Sequence, residues 1–275
     1  MTPPPSAPTF LIAGAMRCGT SSLNAYLRSH PQITVSRPKE VHFFDNQFDR
    51  GLDWYLTHFT PTVDTSAIGE ATPDYLYSLE APQRIADTYP EIKLLVLLRD
   101  PADRAYSHYW HNRSVGKEEL SFEDALAAEP NRIAADPQSR AAYSYLDRGR
   151  YAEQIERYLR HFSADQIMVE TFEELQDDSE AVYLRACRFV GVDDSFRPEN
   201  LGEQINAYAR YRSPALRRLT KPLPKRLRDA VARINRLPDN GYRPMQSSTR
   251  QRIEEQLGPG NRALSALVGL EAPWL

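Results

Sequence analysis

The fold is decided by the stretch Thr9-Phe-Leu-Ile-Ala-Gly-Ala-Met-Arg-Cys-Gly-Thr-Ser-Ser22. Its first part, Thr9 to Ala13, is apolar enough to be a buried strand, and a helix is predicted from about Thr20 to Ser29. A glycine-containing turn between a strand and a helix points backbone N–H groups at an anion, and the helix dipole adds to the attraction. The stretch therefore predicts a strand, an anion-binding loop and a helix.

The loop differs from that of a nucleotide triphosphatase. Gly14 and Gly19 match the two glycines of the G-x-x-x-x-G-K-[ST] pattern, but Thr20 stands in place of the lysine and the cation lies inside the loop at Arg17. A kinase of this type also needs an acidic residue for magnesium, and the strand that would supply it ends in Arg99. Taken alone, the loop is equally compatible with a structural turn that binds no ligand.

Further apolar runs alternate with helical patterns along the chain. Strands are predicted at Ile33–Ser36, Ala67–Gly69, Lys93–Leu98 and Gln166–Val169. Helices are predicted to begin near Pro101 and to run over residues 150–162, 173–190, 216–237 and 247–268. This alternation indicates an α/β protein with a P-loop-like three-layer fold, in which helices flank a central parallel sheet and the C-terminal third is helical. Residues 1–8 are expected to be a disordered lead-in, and residues 9–275 a single domain.

Composition limits the function classes. The chain has 34 basic and 37 acidic residues and a formal net charge of −3, which argues against a general nucleic-acid-binding surface. Its cysteines, Cys18 and Cys187, are too few for a disulfide framework. Cys18 does not indicate a cysteine phosphatase, because Asn24 stands where the arginine of that motif is required. With no signal-peptide pattern at the N-terminus, a cytoplasmic location is expected.

A second candidate anion site follows the central strand. Arg99 leaves the end of Lys93–Leu98, and Ser107 lies about two helical turns further along. A guanidinium and a hydroxyl can converge on one phosphate. Two anion sites at neighbouring strand ends suggest a nucleotide with phosphates at both ends of one ribose.

With these motifs in order, the sequence resembles the PAPS-dependent sulfotransferases, most closely the branch that includes the heparan sulfate sulfotransferases and their bacterial relatives. The resemblance covers nearly the whole chain. Beyond the two anion sites it rests on Lys39-Glu-Val-His-Phe-Phe-Asp45, Gly51-Leu-Asp-Trp-Tyr55, Glu70-Ala-Thr-Pro-Asp-Tyr75, Arg148-Gly-Arg-Tyr151 and Ala272-Pro-Trp-Leu275.

The resemblance implies PAPS as sulfuryl donor, PAP as product and no metal. It implies that the 5′-phosphosulfate is held by Arg17, Cys18, Gly19, Thr20, Ser21 and Ser22. It assigns the 3′-phosphate to Arg99 and Ser107, and a nucleotide-covering loop to Gly241, Tyr242 and Arg243. Three features depart from this branch, one of which is Gly258-Pro-Gly260 in place of a more regular helical stretch. Arg17 replaces a lysine, and Ala71 replaces a lysine near the reacting oxygen of heparan sulfate enzymes, which argues against a heparan-type acceptor.

The resemblance also assigns the catalytic base to Glu40. A surface or helix-capping carboxylate is the alternative interpretation of Glu40, and His42 is the rival base because histidine titrates near neutrality. Arg17 and the loop N–H groups are expected to stabilise charge on the bridging oxygen during transfer.

The acceptor is expected to be a hydroxyl, or secondarily an amine, of a glycan, glycolipid or small metabolite. Residues 216–237 combine leucines with basic side chains, which fits either a solvated helix packed on the domain or a contact with an anionic ligand or membrane surface. A P-loop small-molecule kinase and a non-catalytic nucleotide-binding module are the alternative functions.

Overall fold

The computed structural model describes residues 6–205 and 242–275 and, between them, positions 216, 219, 220, 223, 224, 227, 230, 231 and 234. Its sheet has five parallel strands: β1 (Phe10–Gly14), β2 (Ile33–Val35), β3 (Ala67–Ala71), β4 (Lys93–Leu98) and β5 (Ile167–Thr171). They lie in the order β2-β3-β1-β4-β5. The predicted α/β class with a central parallel sheet and flanking helices is confirmed.

Apolar runs form the centre of the sheet because both of its faces are covered. All five residues of β1 are buried, and β4 is buried from Leu94 onward. Phe10 lies opposite Gly69 of β3, and a Cβ at Gly69 would come within 2.1 Å of the Phe10 ring. A glycine is therefore required at this position for the ring to pack across the sheet.

The helices follow the strands as the sequence predicts. Their bounds are α1 (Thr20–Arg28), α2 (Phe43–Asn46), α3 (Leu52–Leu56), α4 (Ala81–Thr88), α5 (Pro101–Val115), α6 (Phe122–Ala135), α7 (Pro137–Tyr143), α8 (Tyr151–Leu159), α9 (Phe172–Asp177), α10 (Ser179–Val190), α11 (Ser247–Asn261) and α12 (Ala263–Val268). Among the residues described, no helix combines the length and the apolar character needed to cross a bilayer.

Two predicted helices are each divided in the structure. The segment 173–190 breaks between α9 and α10, where Asp178 leaves the helical conformation and its side chain accepts the N–H of Ala181 at 2.9 Å. The segment 247–268 breaks at Arg262, between α11 and α12, and Pro259 lies inside α11 without ending it.

The residues group into two compact units. The first comprises 1–100, 150–205 and 258–275 and contains the sheet, and the second comprises 101–149 and 206–257. The second has its own apolar core, in which Tyr106, Tyr109, Phe122 and Tyr145 from three neighbouring segments pack with Leu257. The single domain expected from the sequence stays a prediction.

Candidate active site

Three adjacent strands of the first unit deliver candidate site residues at their carboxyl ends. The central strand β1 leads into the anion-binding loop, and its neighbour β4 leads into Arg99. On the other side of β1, the last residue of β3, Ala71, accepts the backbone N–H of Glu40 at 3.1 Å. Ligands of parallel α/β sheets bind outside the carboxyl ends of the strands, where the chain connections diverge. This edge is therefore the candidate active site.

The loop is shaped by two residues with left-handed backbone. Arg17 has a φ of 71° and Gly19, which precedes α1, has a φ of 88°. The non-glycine residue costs about 1–2 kcal/mol in this conformation. Thr20 and Ser22 are buried, whereas Arg17 and Ser21 are partly exposed. The first backbone N–H groups of a helix have no partner inside the helix, which makes this end of α1 suited to a phosphate or sulfate group.

Two side chains of the loop make contacts within the protein. The Sγ of Cys18 lies 3.7 Å from the carbonyl oxygen of Met16, and the thiol is buried. The hydroxyl of Ser22 accepts the backbone N–H of Ile205 at 3.0 Å. Both contacts hold the loop in shape, whatever the two residues contribute to a ligand.

Arg99 lies against the same aromatic ring as the loop. Its guanidinium carbon is 4.5 Å from the centre of the Phe172 ring, and a Cβ at Gly19 would lie 2.9 Å from an atom of that ring. Within the described part of the chain, the Nε of Arg99 has no hydrogen-bond partner. Phe172 thus packs against both the loop and the Arg99 guanidinium.

The predicted base segment also has an unusual backbone. Glu40 and His42 both have positive φ, 63° and 57°. The Glu40 side chain is 43% exposed and forms an ion pair with Lys39. The segment therefore presents the Glu40 carboxylate to solvent beside the end of β3, where an acceptor could reach it.

His42 is paired with an acid. Its Nδ1 lies 2.9 Å from Oδ2 of Asp45, and this hydrogen bond raises the pKa of the imidazole, with partial burial acting in the opposite direction. A histidine that donates through Nδ1 keeps Nε2 as a proton acceptor. His42, Asp45 and Asp74 offer ligand atoms within 4.8 Å of one another, so the absence of a metal stays a prediction.

The other predicted site residues belong to the second unit or lie outside the residues that the structure describes. Ser107 is buried on α5. Tyr242 stacks on Trp110 at 5.9 Å between ring centres, and the hydroxyl of Tyr106 donates to the carbonyl of Arg243 at 2.8 Å. Gly241 lies outside the described residues. The joint binding of one phosphate by Arg99 and Ser107 stays a prediction, because the two belong to different units.

Sequence reasoning assigned no role to two residues of this region. Phe172 begins a helix after β5, and an aromatic residue there has no distinctive signal. Glu70 is completely buried in β3, where its carboxylate accepts hydrogen bonds from Tyr55 and Tyr75. A charged residue between the small residues of an otherwise apolar strand was the available signal.

Comparisons with known proteins agree with this arrangement. Residues 7–213 match the model of the sulfotransferase domain. A sulfotransferase from Alicyclobacillus acidocaldarius is 30% identical, with a TM-score of 0.74 over 98% of this chain and 99% of that protein. The mouse sulfotransferase SULT7A1 in complex with PAP shares the fold, with a TM-score of 0.54 at 14% identity over 98% of this chain and 90% of that protein.

Two human relatives are larger proteins. The bifunctional heparan sulfate N-deacetylase/N-sulfotransferase 3 is 36% identical over 197 residues, which cover 67% of this chain and 22% of the relative. The heparan sulfate glucosamine 3-O-sulfotransferase 3B1 is 34% identical over 185 residues, covering 67% of this chain and 46% of the relative. This chain therefore spans less than half the length of either. A kinase assignment is not favoured, and the chain belongs to the sulfotransferase family.

Proposed function

We propose that this protein transfers a sulfuryl group from PAPS to an acceptor hydroxyl and releases PAP. The observation that carries the proposal is the convergence at one sheet edge of the loop after β1, Arg99 after β4 and the Glu40 segment beside β3. The loop and Arg99 supply positive charge for a donor that carries anionic groups at both ends of its ribose, and Glu40 supplies a carboxylate for the acceptor. Family membership supports the same chemistry.

The reaction needs one proton acceptor and one site for the departing charge. Glu40 takes the proton of the acceptor hydroxyl as the new S–O bond forms. The bond between sulfur and the bridging phosphate oxygen breaks on the opposite side, and negative charge moves to PAP. Arg17 and the first N–H groups of α1 stabilise that charge, because they are fixed in place before the reaction. No step in this scheme requires a metal ion.

The acceptor class follows from the environment of the base. The relatives named above include an N-sulfotransferase and a 3-O-sulfotransferase, so the family contains enzymes for both amines and hydroxyls. Ala71, fully buried beside Glu40, provides no positive charge toward an acidic glycan. We therefore propose a hydroxyl of a less acidic glycan, a glycolipid or a small metabolite, with an amine as the second acceptor class.

Replacing Glu40 with glutamine tests the proposal. The amide keeps the shape of the side chain but cannot take the proton, so kcat should fall by about 10²–10⁴-fold while the Kd of PAP stays nearly unchanged. Transfer from PAPS to a panel of acceptors gives the first quantity, and calorimetry gives the second. Glu153→Gln is the matched control, since it neutralises another exposed, ion-paired carboxylate of the same unit.

The outcomes separate the candidate functions. Undiminished turnover in Glu40→Gln removes Glu40 as the base and makes His42 the candidate. PAP binding by the unmodified protein, with no transfer to any acceptor of the panel, favours the non-catalytic binding module.

A further inference from the structure

The base segment is fixed by hydrogen bonds along its backbone. Five consecutive N–H groups, from Glu40 to Phe44, all donate to residues 70–75. The acceptors, in order, are the carbonyl of Ala71 (3.1 Å), Oε1 of Glu70 (3.2 Å), Oγ1 of Thr72 (3.4 Å) and, for Phe43 and Phe44, the hydroxyl of Tyr75 (2.9 and 3.3 Å). The stretch around Glu40 and His42 therefore takes its conformation from residues outside it.

This conformation needs such support. Glu40 and His42 are the two candidate bases, and both have the positive φ that residues with a Cβ rarely adopt. Non-glycine residues persist in this region only where the surrounding structure fixes them. Loss of the acceptors would allow both side chains to leave the positions in which they face the sheet edge.

Glu70 determines the direction of these acceptors. Its carboxylate, fully buried, accepts the hydroxyl protons of Thr72 and of Tyr75, the latter at 2.9 Å. A hydroxyl has one proton and two lone pairs. Because both protons point at Glu70, the lone pairs are available to the N–H groups of His42, Phe43 and Phe44.

The hydrogen bonds around Glu70 oppose the effect of its burial. Burial raises the pKa of Glu70, and the hydrogen bonds from Thr72, Tyr55 and Tyr75 and from the Val41 N–H act in the opposite direction. Four donors therefore surround this one group. Isolated buried carboxylates are costly, and such groups persist where hydrogen bonds satisfy them.

We infer that Glu70 is a positioning residue of the sulfotransferase, acting through Thr72 and Tyr75 to hold Glu40 and His42 in their reactive conformation. The inference rests on the proposed function for its effect on turnover. It does not rest on that function for its effect on the backbone of residues 40–44, which is measured separately.

Two tyrosines provide a matched test. Tyr55 and Tyr75 are both fully buried and both donate to Glu70, Tyr55 at 2.6 Å. Only Tyr75 also accepts N–H groups of the base segment. Tyr75→Phe should lower kcat by about tenfold to a hundredfold with the KM for PAPS unchanged within about twofold, whereas Tyr55→Phe should change kcat by no more than about threefold.

Amide hydrogen exchange supplies a readout independent of turnover. Phe43 and Phe44 should exchange faster in Tyr75→Phe than in Tyr55→Phe, compared at equal free energy of unfolding. Glu70→Leu should resemble Tyr75→Phe, because a leucine side chain of similar size removes the acceptor that orients both hydroxyl protons.

The outcomes are distinguishable. Equal losses of kcat and equal exchange rates in the two tyrosine variants would overturn the inference and leave Glu70 as a structural residue. Faster exchange confined to Tyr75→Phe, in a protein that shows no transfer from PAPS, would support the positioning role while rejecting the proposed function.

Discussion

At the scale of single residues, His42 and Glu40 compete for the role of base, and their surroundings differ. Glu40 is more exposed and pairs with Lys39, whereas His42 is paired with Asp45. The two arrangements respond to pH in different ranges. A carboxylate accepts a proton throughout the neutral range, but a histidine does so only above its own pKa.

The pairing with Asp45 raises the pKa of His42. We expect an NMR titration of the imidazole to give a value above the usual histidine value of about 6.5, and Asp45→Asn to lower it. Because the pKa is raised in the folded protein, protonation of His42 stabilises the fold. The stabilisation from protonated His42 is complete below the ordinary histidine pKa and is lost as the pH rises through the raised pKa. Asp45→Asn should therefore reduce the pH dependence of the free energy of unfolding in that range.

Asp49→Asn is the control, because Asp49 is an exposed acid of the same segment. An unchanged His42 titration in Asp45→Asn would contradict the assignment. The pH dependence of kcat then separates the two bases, since a limb that moves with Asp45→Asn belongs to His42 and one that does not belongs to another group.

At the scale of elements, the loop between β1 and α1 depends on a glycine for two reasons. Gly19 has positive φ, and a Cβ there would lie 2.9 Å from side-chain atoms of Phe172 and Leu175. Gly269 is also left-handed, with a φ of 65°, but no atom lies within 4 Å of an added Cβ. Comparing alanine substitutions at the two glycines therefore separates the free-energy cost of backbone strain from the cost of the steric contact with Phe172.

Gly19→Ala should weaken PAP binding by about tenfold or more, because it displaces Phe172 and with it the guanidinium of Arg99. Gly269→Ala should leave PAP binding unchanged, although both variants lose about 1–2 kcal/mol of stability to backbone strain. Calorimetric Kd values and thermal unfolding check this. Equal PAP affinity in the two variants would show that Phe172 does not link the loop to Arg99.

The elements also show where sequence reasoning succeeds. β4 was predicted with its observed bounds because the continuous apolar run of five residues after Lys93 has one natural interpretation in a parallel sheet. The break between α9 and α10 was missed, since Asp178 is compatible with the helical pattern until its side chain caps the next helix. Periodicity records which residues are apolar, and it does not record which competing hydrogen bond a polar residue makes.

At the scale of the whole molecule, the sequence predicted the sheet and the loop between β1 and α1, and anion binding by that loop stays a prediction. The Glu70 network was not predictable, because Tyr55 and residues 40–44 are distant from Glu70 in sequence and residues 40–44, which follow β2, are placed beside it where β2 pairs with β3. A polar residue in a buried strand indicates that it has a hydrogen-bond partner, but the sequence does not show which residue that partner is. Likewise, most of segment 216–237 lies outside the described residues, so its predicted contact with an anionic ligand or membrane stays a prediction.

The choice between sulfuryl and phosphoryl donors concerns the entire fold and can be tested by binding alone. Thr20 replaces the lysine of a triphosphate loop, and Arg99 provides a cation suited to a second phosphate of the ligand. We expect calorimetry to show tight binding of PAP that is unchanged by magnesium or by EDTA, together with weak binding of ATP. PAP at 100 times its Kd should also stabilise the protein by about 2.7 kcal/mol.

A kinase would reverse the pattern, because magnesium coordinates the bound triphosphate in that class. Magnesium-dependent ATP binding without PAP affinity would therefore overturn the proposed donor, and loss of PAP binding in EDTA would contradict the metal-independent scheme.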